Sequence, residues 1–176
     1  PLAGRDKENI FTFMNMDDVK NIEYYLKKLD QRGRVLILGA GLIGLKAAEA
    51  LNKMGLKVTV IELADRILSS ILDEEAASLI QTYLQQQGIN FQLSDTIEEF
   101  KGEKEAAQAK LKSGLLLDCD LGIMAVGVRP NLELVENTEI EFDKGILVDK
   151  SMETSRDHIY AAGDVSEGIN MLEGST

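Results

Sequence analysis

The chain of 176 residues combines 44% hydrophobic with 28% charged side chains, the balance of a globular protein with a core to bury rather than a disordered one. Nineteen basic against thirty acidic residues leave a net charge of −11, which repels phosphate backbones and anionic headgroups, so neither nucleic acid nor a membrane surface is an expected partner. No stretch approaches the roughly 18 consecutive apolar residues of a membrane span, no basic-then-apolar secretory pattern opens the sequence, and one cysteine cannot form an internal disulfide. The cytoplasm is the expected location.

Residues 1–32 begin with loop composition, then show a short apolar run at Ile10 to Phe13. A helix follows, with Asp17 as its expected cap and Val19, Ile22, Tyr25 and Leu26 at helical spacing. "RVLIL", residues 34–38, is a strand buried on both faces, and from Leu42 the pattern turns helical until Gly55 stops it. "KVTVIE", residues 57–62, is a second such strand. Asp73 opens a helix whose expected buried face is Leu79, Ile80, Tyr83 and Leu84; Gly88 ends it, and "INFQL" is a third strand. This β-α-β-α-β order predicts an α/β fold, a Rossmann-like parallel sheet with helical crossovers. Between residues 97 and 118 the turn candidates Gly102-Glu103 and Ser113-Gly114 separate short segments, which predicts an antiparallel β-meander instead of another crossover. "CDLGIMAVG" returns as a central strand, with Cys119 read as a small hydrophobe beside it. Loop follows "VRPN", then a strand around Ile146 to Val148 and the segment "HIYAAGDV".

Gly39, Gly41 and Gly44 fit G-x-G-x-x-G between a strand and a helix. In turn, the three glycines permit a tight turn out of the strand, a close approach of backbone to a pyrophosphate, and close packing of helix on strand. The free N–H groups at the helix start, those of Leu42 and Ile43 among them, then face the phosphates. Glu62 closes the next strand at about the 20-residue spacing at which a carboxylate meets the adenosine ribose of a dinucleotide. Such a carboxylate would oppose the extra phosphate of NADP, so NAD(H) is the expected cofactor, although Arg66 is placed to neutralise a phosphate. The alternative reading of Glu62 is a solvated strand end.

With these signals, "VGVRPN" (126–131) and "TSRDHIYAAGDV" (154–165) make the chain resemble the pyridine nucleotide-disulfide oxidoreductase family of flavoproteins. The resemblance implies an NAD(H)-binding domain at 33–128, with Gly127 leaving room for the nicotinamide. It implies a link from a missing FAD domain at 1–32, and at 129–176 the start of the return to that domain, in which an apolar strand delivers Gly163 and Asp164 to FAD. The flanking pieces would then belong to an incomplete FAD-binding domain, and the chain would be the middle piece of an FAD-dependent NAD(P)H oxidoreductase, inactive by itself. The NADH oxidase, nitrite reductase and ferredoxin or rubredoxin reductase branches look nearest, while the small thioredoxin reductases need a cysteine pair that this sequence lacks. The implied partners are NADH, the FAD and interface domains of the same protein, and a redox partner protein; a homodimer is compatible with it. Many members carry a glutamate where Lys46 stands, so Lys46 either meets the nicotinamide or points to solvent. His158 is read as a surface residue, and no residue as catalytic or metal-binding. The rivals are an NAD(H)-sensing module without redox chemistry, against which the flavin-like segment argues, and a self-contained Rossmann dehydrogenase, for which there is no room.

Overall fold

In the computed structural model, which describes residues 2–29 and 33–168, the chain divides into one compact unit ending at Gly127 and another beginning at Val128. The expected boundary between residues 32 and 33 borders undescribed residues, and the tail of the 129–176 segment from 169 onward lies outside the described ones.

The described residues of the first unit form eight strands and three helices. The strands span Ile10–Thr12 (β1), Arg34–Leu38 (β2), Lys57–Ile61 (β3), Asn90–Gln92 (β4), Ile97–Lys101 (β5), Gln108–Leu111 (β6), Leu116–Asp118 (β7) and Leu121–Met124 (β8). Five of them form a parallel sheet in the order β1-β8-β2-β3-β4. Helix α1 (Met16–Leu26) follows β1, while α2 (Leu42–Lys53) and α3 (Glu74–Gln86) are the crossovers from β2 to β3 and from β3 to β4. Strands β5, β6 and β7 form the expected antiparallel meander.

The period of two along the central strands explains the layering. Val35, Ile37, Val58, Val60 and Ile123 pack into one cluster with the helical residues Ile22, Leu45, Ala48, Leu51 and Leu84. Leu36, Leu38 and Ile61 pack into another with Ile97, Phe100, Ala109 and Leu111 of the meander. Cys119 is fully buried in that second cluster, and burial pushes its thiol up to about 12. Gly122 has no side chain because the Ile10 side chain and the Phe100 ring occupy the space a Cβ would need.

Two expectations about the helices are corrected. Asn15, not Asp17, caps α1: its Oδ1 accepts from the N–H groups of Asp17 (2.9 Å) and Asp18 (3.0 Å), while Asp18 reaches back to the N–H of Asn15, a reciprocal capping box. Helix α3 is capped by Asp73 as expected, but it buries Ala77 and Leu84 and leaves Leu79, Ile80 and Tyr83 exposed. The inward stripe thus runs from 77 to 84, two turns of helix, and small Ala77 lets α3 lie close to the sheet.

In the second unit, β9 (Ile146–Leu147) pairs in parallel with β10 (Ser166–Glu167). The "HIYAAGDV" segment does not form the implied strand: Tyr160 makes one isolated bridge to Glu153, and regular pairing starts only after Val165. Lys144 and Gly145 both donate backbone N–H to the Glu167 carboxylate (2.9 and 2.8 Å), which ties the start of β9 to β10.

Candidate nucleotide site

In a parallel sheet the strand ends that face a ligand are the carboxyl ends, and here β2, β3 and β8 deliver their last residues side by side. A cavity of about 360 Å³ opens there, lined by Gly39, Ala40 and Gly41 after β2, Glu62 and Leu63 after β3, and Ala125, Val126 and Gly127 after β8. Leu68, Ser69, Ser70 and Thr96 complete its wall. Its volume lies in the range of small-molecule sites.

Two of the three loop glycines are required by the fold, and the third stands in open space. Gly39 has φ +108°, and a Cβ there would overlap the Ala125 carbonyl, so the chain can turn this tightly beside β8 only without a side chain. Gly44 faces the Gly39 carbonyl oxygen so closely that a Cβ would overlap it, which sets how near α2 lies to β2. At Gly41 a Cβ would meet nothing within 4 Å: its surroundings are open, as an approach of backbone to a ligand requires. Gly41 is also the N-cap of α2 and offers no side-chain acceptor, so the N–H groups of the first turn keep their donor capacity. Leu42 and Ile43 stand exposed on that turn, beside the cavity without lining it.

Glu62 is held from two sides. Its Oε2 accepts from the Ala40 N–H (2.7 Å) and its Oε1 from the Ala64 N–H (2.9 Å). One bond is to the glycine loop itself, so the carboxylate is both a wall of the cavity and a strut for the turn that forms it. Each oxygen keeps a second lone pair for a donor inside the cavity. Arg66 is occupied elsewhere: it donates to the carbonyls of Leu72 and Ser69 (both 3.3 Å) and pairs with Asp65 at 3.0 Å. It staples the 66–72 loop and does not line the cavity. Lys46 pairs with Glu49 one turn on at 2.8 Å with its side chain 76% exposed, the geometry of a surface helix pair.

Gly39, Gly41, Glu62 and Gly127 are therefore brought together on one cavity, with Gly44 behind the loop. Asp164 is exposed in the second unit, and His158, with φ 64°, is exposed and donates its N–H to Glu153. The sequence reading missed Leu68, Ser69, Ser70 and Thr96. Leu68 sits in the left-handed region at φ 51°, which places its N–H on the Ala40 carbonyl (3.0 Å) and brings the 66–72 loop against the glycine turn. The rule that ligands gather at the carboxyl ends of strands would have pointed to Thr96, four residues beyond β4; no composition or periodicity marks Leu68.

Among the described residues no cluster of His, Cys, Asp and Glu could hold a metal ion, and no helix is long and apolar enough to cross a membrane. The chain is 38% identical to an NADH oxidase of Methanocaldococcus jannaschii, aligned over 99% of this chain and 39% of that protein. It is 36% identical to a nitrite reductase [NAD(P)H] of Bacillus subtilis, over 99% of this chain and 21% of the relative. A solved structure of an NAD-dependent persulfide reductase from A. fulgidus superposes with a TM-score of 0.92 at 31% identity, covering 99% of this chain and 32% of the other. The chain thus spans well under half the length of these relatives. The sequence profile of one family matches residues 1–174, nearly end to end. With that match, the glycine loop, and relatives from the branches the resemblance named, the chain belongs to the pyridine nucleotide-disulphide oxidoreductase family.

Proposed function

We propose that this chain is the NAD(H)-binding domain of an FAD-dependent pyridine nucleotide oxidoreductase. The observation that carries the reading is the meeting of open backbone at Gly41, the oriented Glu62 carboxylate and the side-chain-free Gly127 on one cavity. The donor set suits a dinucleotide: N–H groups at a helix start for a pyrophosphate, a carboxylate for the two adenosine ribose hydroxyls, and glycine where a flat ring must lie against backbone. The names of the relatives, an NADH oxidase and an NAD-dependent reductase, support the same cofactor.

In this reading the chemistry supplied by the bound cofactors is hydride transfer between nicotinamide and flavin, and the protein's part is orientation. Gly39 and Gly44 fix the loop, Gly41 with the Leu42 and Ile43 amides holds the pyrophosphate, and Glu62 holds the adenosine ribose. Gly127, with nothing within 4 Å of the position of a Cβ, leaves the nicotinamide side open. Under this reading no side chain of the chain need act as acid, base or nucleophile. Asp164 would contribute to FAD in the whole protein, and the greater length of the relatives supports a parent with further domains. The test is a calorimetric titration of the chain with NADH, with Gly41→Val as control. Binding by the unsubstituted chain and its loss in the variant support the reading; absence of binding by the unsubstituted chain would sink it.

A further inference from the structure

Asp95 is only 3% exposed, and its Oδ2 is buried with no hydrogen-bond partner. A carboxylate in that position is costly, since one of its oxygens is removed from water without compensation. Its other oxygen is fully used. Oδ1 accepts from the N–H of Thr96 (2.8 Å) and from the N–H of Ser113 (3.2 Å) in the turn between β6 and β7. Burial works to raise its pKa, yet the bonds from Ser113 and Thr96 hold the carboxyl below its ordinary value.

The backbone around it reaches the cavity. The Asp95 N–H donates to the Glu62 carbonyl (3.0 Å), the Ser94 N–H to the Ala64 carbonyl (2.9 Å), and the Lys112 N–H to the Thr96 carbonyl (2.9 Å). Residues 94–96 thus grip both ends of the 62–64 turn that carries the Glu62 carboxylate, and Thr96 lines the same cavity as Glu62. Asp95 itself does not line it. Its side chain points the other way, into the meander, and ties this grip to the Ser113 turn.

We propose that Asp95 is a positioning residue for the adenosine end of the cavity, clamping Thr96 and the Glu62 turn to the meander so that the Glu62 carboxylate keeps one direction. The proposal rests on the nucleotide reading above. A merely structural carboxylate would affect stability; this one also affects how the site distinguishes NADH from NADPH, because that distinction falls to Glu62.

The test measures affinities for NADH and NADPH in the unsubstituted chain, Asp95→Ala and Asp95→Asn. In Asp95→Ala the preference for NADH should shrink at least threefold, with NADH itself bound at least fivefold more weakly. Asp95→Asn, whose amide oxygen can still accept both N–H groups, should stay within about twofold of the original preference. An Asp95→Ala protein that is less stable but keeps the original preference would overturn the proposal. Should that variant fail to fold, hydrogen exchange in the unsubstituted chain decides, because coupling between brace and ligand is reciprocal. Saturating NADH should slow exchange at the Thr96 and Ser113 amides at least tenfold and leave the Gly102 turn unchanged; unchanged exchange at Thr96 and Ser113 would overturn it. A chain that binds neither dinucleotide would fail the nucleotide reading first and the proposal with it.

Discussion

The carboxylate of Glu62 is a strut for the glycine loop and, in the function proposed above, a ribose acceptor, and the consequences of the two roles separate on mutation. As a strut it accepts two backbone N–H groups, so Glu62→Ala leaves the Ala40 and Ala64 donors unpaired, at a cost of about 1 to 3 kcal/mol in stability. In its proposed role as ribose acceptor it would stand where the extra phosphate of NADPH comes, a like-charge contact worth roughly 1 to 4 kcal/mol at about 4 Å. The unsubstituted chain should therefore bind NADH at least about tenfold more tightly than NADPH. Glu62→Gln removes the charge but leaves one of the two N–H groups facing an amide donor, so it should narrow that gap while still losing part of the strut's stability; calorimetry and thermal melts read the two effects independently. Lys46 belongs at the same scale. Its pair with Glu49 and its exposure put it among surface helix pairs, so Lys46→Glu should leave the ratio of NAD+ to NADH affinities unchanged. A changed ratio would return Lys46 to the nicotinamide.

At the scale of the elements, charge pins the sheet at the end opposite the cavity. Where β2 and β8 begin, Arg34 bridges Asp120 through Nε and Nη2 (2.9 and 2.8 Å), and Asp120 also accepts the Arg34 N–H (2.8 Å). These bonds with Arg34 hold the Asp120 carboxyl below its ordinary value. A carboxyl with a depressed folded pKa stabilises fully above its unfolded pKa of about 4 and loses that contribution as pH falls through the folded value. Asp120→Asn should thus cost about 1 to 2 kcal/mol at pH 7, a half-open charged pair. The difference from the unsubstituted chain in urea unfolding should fade toward pH 3. Cys119, in the layer against the meander, should resist alkylation at pH 8 in the folded chain and react on unfolding, since burial leaves almost no thiolate. The strands, crossovers and meander were legible because each rests on local chemistry: Asp73 as a cap, Gly55 and Gly88 as stops, Gly102 and Gly114 as turns. The face of α3 was not legible, because Leu79 and Tyr83 keep helical periodicity whether or not anything covers them. The capping box at Asn15 was not legible because Asp17, two residues on, is an equally good N-cap by residue type and only the backbone geometry separates the two.

At the scale of the whole molecule, the site was legible where one motif concentrates it and illegible where the fold assembles it. Gly39, Gly41, Gly44 and Glu62 lie in one β-α-β unit whose spacing is itself the signal. Thr96 and Asp95 reach the cavity or its supports only because β4 ends beside β3 and the meander folds back over the sheet, and Leu68 because the 66–72 loop turns back onto the Ala40 carbonyl, none of which a short stretch of sequence encodes. The Gly163-Asp164 pair has a different standing. Asp164 could add one or two hydrogen bonds to a flavin, each worth about 0.5 to 1.5 kcal/mol, far below what retention through purification demands. The purified chain should accordingly be colourless. The most direct measurement is a titration of this colourless chain with NADH, followed by calorimetry and by the amide signals of Gly41, Leu42 and Ile43. One NADH should bind saturably with those three amides shifted, NADPH should bind more weakly, and addition of FAD and an artificial acceptor should cause no oxidation of NADH. Saturable binding that left those amides unmoved, or no binding at all, would contradict the assignment of this loop to a dinucleotide.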